Sequence, residues 1–160
     1  MRILGIDPGL RRTGYGLIET NGVNIKLLEA GTVEPKEKDL LENRLHAIYK
    51  NLDDLIAEYK PDVMVLEKIY THYRHPTTAS LLGHVRGVIC LACANRKLKL
   101  AEQSVKRMRK AVLGRGSASK LQTQGMVAHV LRVDGSKLTA DASDALALAL
   151  GYAQSLGRNA

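Results

Sequence analysis

Apolar positions open the chain as short runs and continue it at helical spacing. Ile3-Leu4-Gly5-Ile6 is a brief apolar run halted by Asp7-Pro8-Gly9, which predicts a buried strand ending in a turn. Gly14 to Ile18 and Ile25 to Val33 follow as two further strands, and Thr20-Asn21-Gly22 between them predicts a hairpin turn. From Glu37 to Tyr59 the spacing changes: Leu41, Leu45, Ile48, Leu52, Leu55, Ile56 and Tyr59 recur on one helical face until Lys60-Pro61 breaks the pattern. Asp62 to Glu67 predicts a fourth strand, again apolar and again ending in a carboxylate, with a polar loop from Tyr70 to Pro76 behind it.

Leu81 to Ala94 predicts a helix that is apolar around most of its circumference, with Gly83 and Gly87 one turn apart. Such a helix needs cover on two sides, so a subunit contact is expected beside a core contact. Leu98 to Ala101 is a short fifth strand, and Val105 to Leu113, Ser119 to Val133 and Ala140 to Leu156 are helices. Hairpin strands first, then strands alternating with helices, predict an α/β domain over residues 1–157 with a five-stranded mixed sheet flanked by helices.

Composition changes this picture little, and charge changes it more. The chain has 160 residues, 45% of them hydrophobic and 25% charged, which excludes disordered and fibrous classes. No run approaches the ~18 apolar residues of a membrane span, and Asp7 arrives too early for a secretory signal, so a cytoplasmic protein is expected. Cys90 and Cys93 lie within an apolar stretch and read as small core residues. The net charge is +8, but its distribution is uneven: 9 basic and 12 acidic residues up to Glu67, then 15 basic and 4 acidic ones. The second part carries +11 and favours a polyanion. With no Trp or Phe to anchor in lipid, nucleic acid fits better than a membrane surface.

The candidate chemistry is acidic. Asp7 ends the first strand, Glu67 ends the fourth, and Asp141 and Asp144 lie three apart in the first turns of the last helix, on one face. If the first and fourth strands run parallel, Asp7 and Glu67 end side by side. Four carboxylates with neither imidazole nor thiolate suit a hard cation, Mg²⁺ with Mn²⁺ as a substitute. Two such ions about 4 Å apart serve phosphodiester cleavage. Three of the four acids have a plainer role open to them: a turn starter for Asp7, a strand-end charge for Glu67, a helix-terminal charge for Asp141. Lys106, Arg107, Arg109, Lys110, Arg115 and Lys120 form a basic tract without one acid, and Gly114-Arg115-Gly116-Ser117 inside it can bring backbone amides to a phosphate. Tyr70, close behind Glu67, offers a stacking face worth about 1–3 kcal/mol per base. His72 and His75 read as loop or phosphate contacts.

Leu4-Gly5-Ile6-Asp7-Pro8-Gly9 with Thr13-Gly14-Tyr15-Gly16, Leu66-Glu67-Lys68-Ile69-Tyr70, Leu82-Gly83-His84-Val85-Arg86-Gly87, Gly114 to Lys120 and Asp141-Ala142-Ser143-Asp144-Ala145-Leu146-Ala147 resemble, in order, the motifs of the RuvC family of bacterial Holliday-junction resolvases. The resemblance spans nearly the whole chain. It implies an RNase H-like fold, a homodimer, Mg²⁺-dependent nicking of opposed strands at a four-way DNA junction, and a branch-migration motor as partner. It places Asp7, Glu67, Asp141 and Asp144 on the family's four acidic positions, Arg109 and Lys120 on its phosphate-binding cations, and Tyr70 on its junction-wedging aromatic. His84 departs from the glutamine expected there. Two other readings compete: an RNase H-like nuclease acting on structured RNA, and a nucleic-acid-binding module without catalysis. The turn Asp7-Pro8-Gly9 also resembles the phosphate loop of actin-like ATPases, which need two such domains.

Overall fold

A computed structural model describes residues 1–68, 76–114 and 119–157. Three strands, β1 (Arg2–Asp7), β2 (Thr13–Thr20) and β3 (Ile25–Val33), precede α1 (Leu41–Tyr59), β4 (Val63–Glu67), α2 (Pro76–Asn95) and β5 (Lys99–Gln103). Then come α3 (Val105–Leu113), α4 (Lys120–Leu131), a 3₁₀ turn (Gly135–Lys137) and α5 (Ala140–Gly157). The sheet order is β3-β2-β1-β4-β5. β1 to β3 form antiparallel pairs and β1-β4 and β4-β5 are parallel, which is the expected five-stranded mixed sheet.

Turn and cap chemistry sets most boundaries. In the β2–β3 turn Asn21 Oδ1 accepts from the Val23 and Asn24 amides, and Gly22 takes φ +93°, a value costly for any side chain. Lys60, left-handed at φ 47°, closes α1 through its amide to the Ile56 carbonyl. α1 begins four residues later than the expected start at Glu37, at Leu41, the first of the periodic apolar positions: Glu37 to Asp39 form a turn instead, in which the Asp39 amide donates to the Lys36 carbonyl. α2 begins earlier than expected, with Pro76 as its first residue, where a missing N–H costs nothing. It is also, among the described residues, the one helix long and apolar enough to cross a membrane, although Val85, Ile89, Ala92 and Cys93 are spent on the sheet. Cys90, expected in the core with Cys93, is exposed, because it stands on the outer face of α2.

Two cores flank the sheet. Leu4, Ile6, Met64 and Leu66 face α1 and α2, whereas Ile3, Val63 and Val65 face α3, α4 and α5. Strand alternation therefore sends the last residue of β1, Asp7, and of β4, Glu67, to the α5 side. α5 is buried almost all round, from Ala142 to Gly151 except Asp144, sandwiched between the sheet and α3 and α4. Burying Leu146 and Leu150 completely is worth about 1.5–3 kcal/mol each.

Glycines let α5 approach this closely. A Cβ at Gly5 would collide with the Ala145 carbonyl oxygen, and one at Gly14 would collide with that of Asp141. Gly14 is also the register partner of Asp7. Even Gly14→Ala should thus push α5 off β2 and cost about 1–3 kcal/mol, lowering the melting temperature by several degrees. Gly125→Ala, in open space on α4, should not lower it. Equal melting temperatures for the two variants would show that the close approach is not needed.

Candidate active site and nucleic-acid interface

Asp7, Glu67 and Asp144 line one cavity of about 150 Å³ together with Arg109, Lys120, Met108, Thr123 and Leu148. The parallel register carries the two strand ends there, since Ile6 pairs with Leu66 and the next residue of each strand is the acid. α5 supplies Asp144 one turn in from its start, where Thr139 Oγ1 accepts from the Ala142 amide and bonds Thr32 Oγ1 at 2.7 Å. Lys120, the first residue of α4, sets its ammonium 2.5 Å from the Asp144 carboxylate. A reciprocal capping box between Ser119 and Gln122 fixes that helix start.

Asp141 sits at the edge of this arrangement. It does not line the cavity with the other three acids; its carboxylate lies 3.9 Å from Arg12, which also approaches Glu34. Its negative charge still reaches Asp7. Arg109 lies inside the cavity, while Lys110 lies outside it, in a groove with Lys68, Lys106 and Arg107 beside β5. Tyr70 and Arg115, like His72 and His75, lie outside the described residues.

The crowded acids of the cavity resist ionisation together. Burial, and after it the charges of Asp144, Asp141 and Glu67, push the Asp7 carboxyl from 3.8 up to about 7, against the pull of Lys120. Glu67 is raised as well, by burial and then by Asp144, with Arg86 and Arg109 opposing. Lys120 is raised by its hydrogen bond to Asp144 and by the surrounding acids. Among the described residues no three side chains are gathered into a ready-made metal cage. The donor set fits a hard divalent cation: oxygen ligands only, and a buried carboxylate whose ionisation is opposed until a positive charge arrives.

A family model described as crossover junction endodeoxyribonuclease RuvC matches residues 3–152. The chain belongs to the RuvC family. RuvC of Rhodopirellula baltica is 40% identical over 148 residues, 92% of this chain and 83% of that protein. RuvC of Bordetella pertussis is 40% identical over 153 residues, covering 96% and 83% of the two chains. The structure of Thermus thermophilus RuvC with a Holliday junction substrate superposes with a TM-score of 0.93 at 23% identity, over 99% of this chain and 96% of that one. This likeness shows that the RuvC fold, and with it the RNase H-like arrangement expected from the sequence, is the fold of this chain.

Several residues of the site have roles that motif reading alone does not assign. Gly14 makes room for the start of α5, and its signal is the alternation of glycines on β2. Gln103, the register partner of Glu67 on β5, is buried, and its Oε1 and the Nε of Arg109 have no hydrogen-bond partner among the described residues. Arg12 and Arg86, which meet Asp141 and the Glu67 backbone, had no spacing to mark them.

Proposed function

We propose that the chain is a metal-dependent endonuclease that resolves four-way DNA junctions, with Asp7, Glu67, Asp144 and, from the rim, Asp141 as its carboxylate set. The observation that carries this reading is the convergence of three acids from β1, β4 and α5 on one cavity that also holds Arg109 and Lys120. A small-molecule hydrolase would have no use for the basic surface around it, and a binding module would have no use for buried, mutually repelling acids.

Asp7, Glu67 and Asp144 would hold Mg²⁺, two ions for the complete set, and bound divalent cations supply the Lewis acidity that in-line phosphodiester hydrolysis needs. The remaining work belongs to the chain. Arg109 and Lys120 stand where they can take the charge of the scissile phosphate. A cation held by Asp144 would compete with Lys120, whose ammonium lies 2.5 Å from that carboxylate, and would leave the ammonium available to the DNA. Lys68, Lys106, Arg107 and Lys110 then extend a phosphate track away from the cavity, and Arg115 and Tyr70 add an amide-rich phosphate contact and a stacking face. Opposed cuts need two such cavities. The exposed side of α2, with Leu91 and Cys90, supports a homodimer, and family membership supports a branch-migration motor as partner.

Incubation with Mg²⁺ and a synthetic four-way junction, beside linear duplex and a structured RNA, tests this reading. Paired nicks in opposed strands of the junction are expected, from a protein that sediments as a dimer at micromolar concentration. Cleavage of the RNA with the junction left intact would instead support the RNA nuclease.

A further inference from the structure

Glu67 enters the cavity as the last residue of β4, and what fixes that strand end lies on the opposite face of the sheet. Arg86 of α2 is buried, with 8% of its surface exposed. Its Nη1 donates to the Glu67 carbonyl oxygen at 2.6 Å, and its Nη2 donates to the Glu102 carboxylate on β5. A guanidinium is costly to bury unless its charge and N–H groups are both met. Here one group spans two strand ends.

The register explains why that carbonyl is available. The Lys68 amide donates to the Gln103 carbonyl at 2.9 Å, so the peptide groups on either side of Glu67 serve β5 and those of Glu67 itself turn toward β1. With Ile6 opposite Leu66, the donor due for the Glu67 carbonyl is the N–H of residue 8. Residue 8 is proline and has none.

We propose that Arg86 is a positioning residue for Glu67: it supplies the ladder bond that Pro8 cannot donate, and so pins the end of β4 and the carboxylate it carries. Glu102 holds the guanidinium from the other side. The inference rests on the reading of Glu67 as a member of the metal-binding carboxylate set. Arg86 does not line the cavity; it reaches Glu67 through the backbone carbonyl and through its charge, and Arg86→Lys keeps the charge while losing the two-acceptor geometry.

Arg86→Lys in the full chain keeps the charge but cannot span both acceptors. Mn²⁺ binding, followed by water-proton relaxation without DNA, should weaken about tenfold or more. The kcat for junction cleavage, counted per folded molecule from the melting curve, should fall while KM for the junction stays within twofold. Mn²⁺ affinity, which does not depend on the folded fraction, separates a weakened site from lost protein. Wild-type Mn²⁺ binding and kcat in folded Arg86→Lys would overturn the proposal. If Arg86→Lys does not fold, Glu102→Gln, at a half-exposed position, decides: Mn²⁺ binding weakened threefold or more supports the anchor, and unchanged binding overturns it. A wild-type protein that binds no Mn²⁺ would instead remove the metal-site reading on which the anchor depends.

Discussion

Asp7→Asn should lower junction cleavage by about a hundredfold or more while junction affinity stays within about twofold. The substitution removes one cation-holding charge from the centre of the cavity and no cation from the DNA-binding surface. Gel-shift titration without divalent metal, beside single-turnover cleavage with Mg²⁺, separates the two effects. A folded variant that loses tenfold or more in binding, or cleaves near the wild-type rate, would remove Asp7 from the carboxylate set.

The same substitution should make the metal-free protein more stable. The folded state holds the Asp7 proton up to about pH 7, whereas the unfolded chain releases it near 3.8. Folding therefore carries a penalty that is absent below pH 3.8, grows as pH rises, and is complete above about 7. The interval corresponds to at most about 4 kcal/mol. Asp7→Asn has no such penalty, so with chelator at pH 8 it should melt several degrees above wild type, and the gap should narrow toward pH 5. Adding Mg²⁺ should raise wild type and leave the variant nearly unmoved. A variant less stable than wild type at pH 8 would mean that Asp7 is a structural carboxylate. This opposition of stability and charge is what an acid kept for a cation should show.

Asp7, Glu67 and Asp144 were legible because each violates its surroundings: two end apolar strands, and one interrupts an Ala/Leu helix. Period-two alternation then gives their common side of the sheet, as the partition of Ile3, Val63 and Val65 from Leu4, Met64 and Leu66 bears out. Asp141 shows where spacing stops informing. A separation of three puts it on the face of Asp144, yet its carboxylate turns to Arg12, a neighbour supplied by the distant β1–β2 loop. Arg86 was hidden for a related reason. The motif that contains it, Leu82 to Gly87, says nothing of its partner, and only the missing N–H of Pro8, far off in sequence, leaves it the Glu67 carbonyl. The start of α1 misled because polar residues ahead of the first periodic position, Glu37 to Asp39, were counted with the helix, whose apolar face begins only at Leu41.

Junction affinity should fall by about 10³ to 10⁵ between 50 and 200 mM salt, the loss expected for about 6–10 neutralised phosphates. The cations come from a compact source. Lys106, Arg107 and Lys110 are exposed along α3 and share a groove with Lys68, while Arg109 turns inward to the cavity where Lys120 waits. In the proposed homodimer two protomers would double that set, so even partial engagement would reach the lower bound. The two kinds of cation should then separate under substitution. Lys106→Ala or Lys110→Ala should reduce the salt slope by about one for each phosphate no longer neutralised, and weaken binding with little change in the cleavage rate of bound junction. Lys120→Ala should depress that rate more than affinity, because its ammonium sits 2.5 Å from an acid of the cavity rather than out on the track. Affinity insensitive to salt would show that binding is not dominated by phosphates. A normal cleavage rate in bound Lys120→Ala would leave the Lys120–Asp144 pair a structural contact.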